Sequence, residues 1–334
     1  MPNLSLEHLN SLARKALIAA GTSEENARIV AEALVAAEAD GLASHGMSRL
    51  PSYADQVKSG KVDGKVTPVV NQTGTASVCV DARSGFAFPA IAAGLDKAAE
   101  IITETGVVAV SVGNSHHSGA AGYHVERMAE KGLVTIAFSN SPAGIAPWGG
   151  TKAVFGTNPV AFACPRKGQP PLVIDLSLAK VARGKIKMAA DKGESIPEGW
   201  AVDGDGNPTT DAKAAMQGTN LPMGDAKGYA LVLMVEILAA VLTGSNCGFE
   251  ASSFFAAEGE PPHVGQFFIV LNPKAFAGEG FSDRLEVLLS ATLEHPNTRL
   301  PGSRRTQIRN KSVASGIDLP EALHGDLLNR INPS

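Results

Sequence analysis

The chain has 334 residues, of which 44% are hydrophobic and 19% charged, a composition that allows a large core and predicts two domains. Its formal net charge of −4 gives no indication of binding to nucleic acid or to an anionic membrane surface. The first ten residues lack the basic start and the apolar run of a signal peptide. Because Cys79, Cys164 and Cys247 are scattered among apolar neighbours, we interpret them as reduced core residues of a cytoplasmic protein.

Two amphipathic helices are predicted at the start of the chain. Apolar residues recur at helical spacing over residues 5–20, and Gly21 ends that pattern. A second helix follows and ends at Asp40-Gly41. The spacing of Thr22 and Glu25 predicts a capping box at the start of this second helix.

A serine beside a histidine, Ser44 and His45, is followed within about one helical turn by Arg49. An arginine there can bind a substrate carboxylate through two parallel hydrogen bonds. The histidine can deliver or take a proton, with the serine in the relay. From spacing alone, an N-cap serine and a surface arginine are the simpler interpretation.

The next part of the chain predicts short strands with one helix between them. Residues 76–80 and 107–112 are mostly apolar and predict buried strands, and residues 87–102 have helical spacing. No G-x-G-x-x-G sequence follows these strands, so the fingerprint of a Rossmann dinucleotide site is absent. A dinucleotide would have to be held in a different way.

Two adjacent histidines and a run of small residues follow the strand at 107–112. His116 and His117 can move protons near neutral pH. The small residues at 118–122 open a predicted helix that ends at Gly132. The free N–H groups and the positive dipole end at such a helix start suit a phosphate or a carboxylate.

No metal site is predicted around these histidines. His116, His117 and His124 lie close in sequence, but adjacent histidines usually diverge. No cysteine, aspartate or glutamate completes a tetrahedral set at the usual spacing. We therefore expect none of them to be a metal ligand.

The second half of the chain predicts further regular elements. Leu285, Val287 and Leu288 are expected to face the core from a helix. Strands are expected at residues 133–138, 171–175 and 266–271, and helices at residues 281–293 and 319–330.

The longest apolar stretch, residues 228–243, is interrupted by Glu236. It is shorter than the roughly 20 residues that a bilayer-spanning helix needs. We interpret it as a buried helix that ends at Gly244. Lys227, at its start, is placed either to contact a phosphate or to face solvent.

Seven motifs resemble, in the same order, those of the malate/L-lactate dehydrogenase-like family of NAD(P)H oxidoreductases, which is separate from the Rossmann-type lactate and malate dehydrogenases. They cover most of the chain. The motifs are SHG-x-x-R at 44–49, HSGAAG at 117–122, APWGG at 146–150, FGTNP at 155–159, DLS at 175–177, ARGKI at 182–186 and KGYAL at 227–231.

The resemblance implies an α/β (α+β) fold with a largely antiparallel, non-Rossmann dinucleotide-binding sheet. Residues 1–65 and 281–334 would form a helical domain, and residues 66–280 the NAD(P)H-binding α/β domain. It also implies a homodimer with the site near the subunit interface. The cofactor is expected to be NADPH, with NADH possible, and the substrate a cyclic imino acid or a 2-keto acid.

The resemblance also implies roles for individual residues. Ser44, His45 and His117 are the expected catalytic residues, and His117 is placed either at the cofactor or as the proton acceptor. The residues expected at the substrate are Arg49, Ser139, Ser141, Thr157, Asn158 and Pro159. The residues expected at the cofactor are His117, Ser118, Gly119, Ala120, Ala121, Asp175, Leu176, Ser177, Arg183, Gly184, Ala226, Lys227, Arg299, Arg304 and Arg305.

Some of these cofactor residues have plainer interpretations from sequence alone. Asp175 could be a helix cap. Arg299, Arg304 and Arg305 surround a turn and could grip an adenosine 2′-phosphate, which favours NADPH, or form an exposed basic turn.

The leading hypothesis is NADPH-dependent reduction of cyclic imines, and two other functions are compatible with these residues. The doubled histidine, GFE at 248–250 and LPG-x-RR at 300–305 look most like the branch that reduces Δ1-piperideine-2-carboxylate and Δ1-pyrroline-2-carboxylate to L-pipecolate and L-proline. The alternative is a 2-hydroxy-acid dehydrogenase acting on malate, lactate, ureidoglycolate or a similar acid. Lys185 favours it, because the imine-reductase branch has an acid at the matching position. A nucleotide-binding protein without catalysis is the third possibility.

Overall fold

The apolar runs in the middle of the chain form a seven-stranded sheet in the computed structural model, which describes residues 1–332. Its strand order is β2-β3-β4-β8-β5-β6-β7. These strands are β2 (Val69–Gly74), β3 (Ser77–Asp81), β4 (Val107–Ser115), β5 (Val134–Ser139), β6 (Val160–Arg166), β7 (Gln169–Leu176) and β8 (Val264–Leu271). The β3 and β4 strands pair in parallel and the other neighbours pair antiparallel, so the predicted largely antiparallel sheet is confirmed.

The order of the three central strands determines where their ends meet. Strand β8 lies between β4 and β5 and runs antiparallel to both. Gln266 of β8 is opposite Val112 on one side and Ser139 on the other. The ends of β4 and β5 therefore lie together at the start of β8, which brings the His116-His117 pair and the Ser139 end of β5 to one edge of the sheet.

Helices cover this sheet and join the two ends of the chain. They are α1 (Leu6–Ala19), α2 (Glu24–Ala39), α3 (Leu50–Ser59), α4 (Ala87–Thr105), α5 (Ala121–Glu130), α6 (Arg183–Lys192), α7 (Ala212–Gln217), α8 (Asp225–Glu236), α9 (Pro273–Ala277), α10 (Phe281–Leu293), α11 (Ser303–Ser315) and α12 (Glu321–Ile331). Among residues 1–332, none of the helices has both the length and the apolarity that a membrane crossing requires.

The two chain ends pack against each other. Leu9 of α1, Leu34 of α2 and Leu327 of α12 lie in one apolar cluster. A small sheet pairs β1 (Asn3–Leu4) with β9 (Ile317–Asp318). Helix α10 instead lies on the large sheet. We keep the division into 1–65 with 281–334 and 66–280 as a proposal, which the packing of α1, α2 and α12 supports.

The predicted capping box at the start of α2 is wrong. Ser23, and not Thr22, is the N-cap residue, and its hydroxyl accepts the N–H of Asn26 at 3.4 Å. Thr22 is buried. Glu25 instead forms an ion pair with Arg28, three residues along the helix.

The apolar stretch at 228–243 is helical, as predicted, but it is buried on one side only. Helix α8 continues into a π-helical turn, Ile237–Val241. Val232 and Val235 lie in an apolar cluster against the sheet. The other side is exposed although it is also apolar, with Leu231, Leu233, Met234, Ile237, Val241 and Leu242 at the surface of the single chain.

Two further burial predictions are wrong because the residues point to the other side of their helix or strand. On α10, Leu285 and Leu289, four residues apart, face β6, whereas Val287 and Leu288 are exposed. Among the cysteines, Cys164 is a core residue but Cys79 is exposed and Cys247 is half-buried. Cys79 points outward because its neighbours on β3 take the inward positions of the alternating pattern.

Candidate active site

A tight turn after α2 presents the predicted serine, histidine and arginine. Two short 3₁₀ turns, Ala43–His45 and Met47–Arg49, follow each other here. The Oε2 atom of Glu38 accepts the N–H of Met47 at 2.7 Å. A Cβ atom on Gly46 would lie 2.2 Å from that same oxygen. The turn therefore depends on glycine at this position and on the half-buried Glu38 carboxylate.

Arg49 is held in place without being neutralised. Its Nε donates to the carbonyl of Ser44 at 2.7 Å, and its guanidinium lies 4.5 Å from the ring centroid of Phe255. Its Nη1 is buried and has no partner among residues 1–332. None of the ion pairs in this part of the chain includes Arg49. The guanidinium is therefore available to an anionic ligand.

His45 and His117 come together beside this arginine. Their ring centroids are 5.6 Å apart and their planes are inclined at 29°. The Nδ1 of His45 is 3.0 Å from the Ser44 hydroxyl, and the Nδ1 of His117 is 2.5 Å from the hydroxyl of Tyr53, on α3. The three predicted catalytic residues thus form one cluster, to which the structure adds Tyr53.

The two adjacent histidines diverge. His116 is buried against Tyr53, Phe86 and Phe254, and neither of its ring nitrogens has a partner among the described residues. His117 turns towards His45 and Arg49 instead. In the part of the chain that the structure describes, no three His, Cys, Asp or Glu side chains come together as a metal site would need.

Both site histidines are held in the neutral form. Burial lowers the pKa of His45 to about 4, and the Arg49 charge adds to this effect. Burial, followed by Arg49, lowers the pKa of His117 well below its ordinary value. Both imidazoles are therefore neutral at pH 7, and an anion bound to Arg49 would weaken the second of these causes.

A segment from the second half of the chain covers this cluster. Phe254 packs against His117 with ring centroids 5.0 Å apart. Helix α3 and the residues after it hold the segment through its carbonyl groups. The Nζ of Lys61 donates to the carbonyls of Ser253 (2.7 Å), Ala256 (3.2 Å) and Glu258 (3.3 Å), and the Nε2 of Gln56 donates to those of Phe254 and Ala256, both at 3.0 Å.

The predicted substrate residues after β5 and before β6 are organised by Glu236, a buried carboxylate. Its oxygens accept from the Nδ2 of Asn158 (2.6 Å) and of Asn140 (3.3 Å), and from the N–H of Gly248 (2.7 Å). Asn158 has a positive φ of 40°. Glu236 thus fixes three separate turns at the edge of the sheet.

The remaining substrate residues lie in the same turns. The hydroxyl of Ser141 accepts the N–H of Thr157 at 3.1 Å. The hydroxyl of Ser139 donates to the carbonyl of Asn140 at 3.2 Å. Pro159 comes directly before β6, and its carbonyl accepts the N–H of Ser139. The Asn158 side chain is fully buried, so its bond to Glu236 gives it a part in holding the turn.

The predicted cofactor residues at the start of α5 form a candidate anion-binding site. The helix has neither a side-chain cap at Ala120 nor an acidic residue in its first turn. Gly119 has φ = 67°, and a Cβ there would lie 2.8 Å from the Phe88 ring. Ser118 and Ala121 flank these positions. Backbone N–H groups at an uncapped helix start of this kind fit a dinucleotide phosphate.

Asp175 connects this helix start to Arg305, on α11. It is not the cap of a helix that follows it in sequence, because its Oδ2 accepts the N–H of Gly122, in the first turn of α5, at 2.8 Å. The guanidinium of Arg305 lies 3.7 Å from Asp175 and 3.8 Å from Asp40. Arg305 is therefore engaged by two carboxylates, whereas Arg304 and Arg299 are exposed.

The other predicted cofactor residues lie on nearby turns. Leu176 and Ser177 are exposed at the end of β7, and the Ser177 hydroxyl is 3.4 Å from the carbonyl of Thr157. Arg183, at the start of α6, donates to the side chain of Asn220 at 3.2 Å and to the carbonyl of Met216 at 2.8 Å. Exposed positions at the starts of α6 and α8 are taken by Gly184, Lys185, Ala226 and Lys227.

Comparison with protein families matches residues 4–328 to the malate/L-lactate dehydrogenase family. The chain is 52% identical to the (2R)-3-sulfolactate dehydrogenase (NADP(+)) of Chromohalobacter salexigens, over 97% of this chain and 96% of that protein. It is 41% identical to the Delta(1)-pyrroline-2-carboxylate/Delta(1)-piperideine-2-carboxylate reductase of Pseudomonas syringae pv. tomato, over 96% and 93%.

Solved structures agree with these sequence matches. The crystal structure of delta1-piperideine-2-carboxylate reductase from Pseudomonas syringae has a TM-score of 0.93 at 40% identity, over 99% of this chain and 100% of that one. Sulfolactate dehydrogenase from Methanocaldococcus jannaschii has a TM-score of 0.92 at 31% identity, over 99% and 97%. Both relationships extend over nearly the whole chain, and the resemblance of the motifs is confirmed. The chain belongs to the malate/L-lactate dehydrogenase family and is an oxidoreductase.

Proposed function

We propose that the protein is an NADP-dependent 2-hydroxy-acid dehydrogenase that prefers an acid with a second negative group at C3, with (2R)-3-sulfolactate the first candidate. The observation that carries this proposal is the free guanidinium of Arg49 beside two neutral histidines. The 52% identity to a sulfolactate dehydrogenase supports the same substrate.

A second cation near the cluster supports a doubly charged substrate. The Lys61 ammonium is buried and bonded to three carbonyl groups, and it forms no ion pair within residues 1–332. Its charge acts on the ring of His116 and so contributes to the field around the site. Lys61 does not touch the substrate in this proposal, because its three protons are already donated.

Each residue of the cluster has a role in this reaction. Arg49 binds the carboxylate next to the reacting carbon. His45, neutral and linked to Ser44, takes the hydroxyl proton during oxidation and returns it during reduction. The dinucleotide would supply or accept the hydride when bound along the start of α5, the end of β7 at Asp175–Ser177 and the turn at residues 299–305.

Reduction of Δ1-piperideine-2-carboxylate and Δ1-pyrroline-2-carboxylate is the second candidate. The doubled histidine, the GFE and LPG-x-RR motifs and the 41% identity to a reductase of these compounds support it. Lys185 is exposed at the start of α6, where the imine-reductase branch has an acid. This position favours the hydroxy acid, because no acid is available there for an imine proton relay.

The proposed charge preference can be tested with NADP⁺ and three hydroxy acids. We expect kcat/KM for (2R)-3-sulfolactate and for malate to exceed that for lactate by at least about tenfold, since the charge of Lys61 adds to that of Arg49 in the field around the second acidic group. The measurement is the absorbance of reduced nicotinamide. A kcat/KM for lactate equal to those of the other two acids would contradict the proposed preference for a second negative group.

The two directions of the reaction should depend differently on pH. Because the pKa of His45 is lowered to about 4, its base form predominates above that pH. We expect kcat/KM for oxidation to be constant between about pH 5.5 and 8, and kcat/KM for reduction to fall about tenfold per pH unit. In His45→Gln, kcat should drop by at least about 100-fold and this pH dependence should disappear. A wild-type oxidation rate that declines below about pH 6.5 would contradict the role of His45.

The choice of NADPH over NADH is proposed to depend on Arg304. This side chain is exposed and forms no ion pair within the described residues, whereas Arg305 is held by Asp40 and Asp175. Arg304→Ala should weaken NADPH binding by about tenfold and leave NADH binding unchanged. Arg284→Ala, which changes an exposed arginine on α10, is the control. Equal losses for both cofactors would contradict the 2′-phosphate contact.

We also propose that the protein is a homodimer joined through the exposed apolar side of α8 and its π-helical turn. A contiguous apolar surface of this kind is unusual on a monomer. Val241→Glu should give a monomer by light scattering, because a buried unpaired carboxylate opposes association. Val287→Glu on α10 is a matched control, since its parent side chain is 57% exposed compared with 61% for Val241. A dimer that survives Val241→Glu would exclude this surface.

A cytoplasmic location is proposed from the cysteines. Cys79, Cys164 and Cys247 are all free thiols, as is usual where thiols are kept reduced. Cell fractionation would test this, and recovery outside the cytoplasm would contradict it.

A further inference from the structure

Tyr53 holds the ring of His117 through a hydrogen bond to its Nδ1. It lies on α3, is fully buried, and packs against Phe86 with ring centroids 5.5 Å apart and against Phe88 at 6.3 Å. Its hydroxyl is 2.5 Å from the Nδ1 of His117. In residues 1–332 this nitrogen is the only hydrogen-bond partner of the Tyr53 hydroxyl.

The hydrogen atoms of this pair can be assigned by counting donors and acceptors. A neutral imidazole has one N–H donor and one acceptor nitrogen, and a phenol has one O–H donor. If His117 donated from Nδ1, the buried O–H of Tyr53 would have no acceptor in the described part of the chain. Leaving a buried donor unsatisfied costs about 1–3 kcal/mol. Tyr53 therefore donates, Nδ1 accepts, and the proton of neutral His117 lies on Nε2.

His45 differs from His117 in this respect. The hydroxyl bonded to its Nδ1 belongs to Ser44, which is exposed. An exposed hydroxyl can direct its own proton to solvent and accept from Nδ1–H, so His45 can leave its Nε2 free as a base or become protonated. The buried Tyr53 does not allow the same exchange at His117.

We propose that Tyr53 is a positioning residue that keeps His117 neutral with its proton on Nε2, so that His117 is a hydrogen-bond donor to the C2 oxygen of the substrate. The identity of that oxygen rests on the function proposed above. During reduction, hydride adds to C2 and the carbonyl electron pair moves onto oxygen. The Nε2–H of His117 stabilises the oxygen, the proton comes from the imidazolium of His45, and His117 stays neutral throughout.

The position of the proton can be measured without any substrate. In protein labelled with ¹⁵N-histidine, the resonances of His117 are assigned by their loss in His117→Gln. We expect a protonated Nε2 and an unprotonated Nδ1 in the wild type. In Tyr53→Phe the Nδ1 resonance should shift, because it loses its hydrogen bond. A protonated Nδ1 in the wild type would overturn the proposal, even if the activity were a different one.

The kinetic consequence is tested with the same variant. Tyr53→Phe keeps the buried ring and should lower kcat by about tenfold, the equivalent of one weakened hydrogen bond, without changing the affinity for NADPH. Tyr123→Phe is the control, since its hydroxyl accepts from Arg127 and has no place in the site; its kcat should stay within about twofold. A kcat within twofold for Tyr53→Phe would also overturn the proposal. Absence of turnover of any keto or hydroxy acid by the wild type would instead contradict the proposed function.

Discussion

Arg49→Met should lower kcat/KM for a keto acid by about 1,000-fold, or about 4 kcal/mol of binding and transition-state stabilisation. The Arg49 guanidinium is partly buried and forms no ion pair within residues 1–332. It lies beside both site histidines. Its removal leaves the substrate carboxylate without a partner in a partly buried site. NADPH binding, measured by fluorescence titration, should be unchanged.

Two further variants separate charge from geometry at this position. Arg49→Lys keeps the positive charge but loses the planar pair of donors, so we expect an intermediate loss. Arg284→Met makes the same chemical change at an exposed position of α10 and should leave kcat/KM unchanged. If Arg49→Met lost less than about tenfold, the carboxylate would have to bind elsewhere.

Glu236→Ala should lower the free energy of unfolding by about 3–5 kcal/mol. The variant removes the acceptor of three buried N–H groups: one on each side-chain amide of Asn140 and Asn158, and the backbone N–H of Gly248. The second N–H of each amide still donates to a carbonyl, that of Asn246 or Val232. Because these donors belong to three different turns at the sheet edge, the substrate KM should also rise. Urea unfolding at a fixed protein concentration measures the stability, since a dimer would make it depend on concentration.

Glu130→Ala is the control for this prediction. Glu130 is an exposed glutamate at the end of α5 and forms no ion pair within the described residues. Its replacement should change the free energy of unfolding by no more than about 0.5 kcal/mol. A loss below about 1 kcal/mol for Glu236→Ala would show that other groups satisfy the three donors.

Local sequence patterns predicted the regular elements well. The strands at 107–112, 133–138 and 266–271 were recognised from uninterrupted apolar runs, and each is a central strand of the sheet. The resemblance to the family predicted the order of the site motifs. The burial of Leu289 instead of Leu288, and the cap at Ser23 instead of Thr22, differ by a single position, which periodicity does not resolve.

Other features depend on contacts between distant parts of the chain. The bonds from Lys61 to the segment around Ser253 join residues 192 positions apart, and no local pattern indicates them. Tyr53 is 64 positions from His117, and nothing in the sequence of α3 indicates that its hydroxyl bonds that histidine. Glu236 did give a signal, because it interrupts an apolar run. The exposed side of α8 could not be distinguished from its buried side, because both are apolar.

The measurement that tests the central proposal most directly is the ratio of two rates of NADPH oxidation by the wild-type protein. One substrate is 3-sulfopyruvate, the keto acid formed from 3-sulfolactate, and the other is Δ1-piperideine-2-carboxylate. The second negative group of sulfopyruvate, in the field of Arg49 and Lys61, and the lysine at position 185 predict a kcat/KM for sulfopyruvate at least about 100-fold higher. A higher value for the cyclic imine would contradict the hydroxy-acid assignment and identify the protein as an imine reductase.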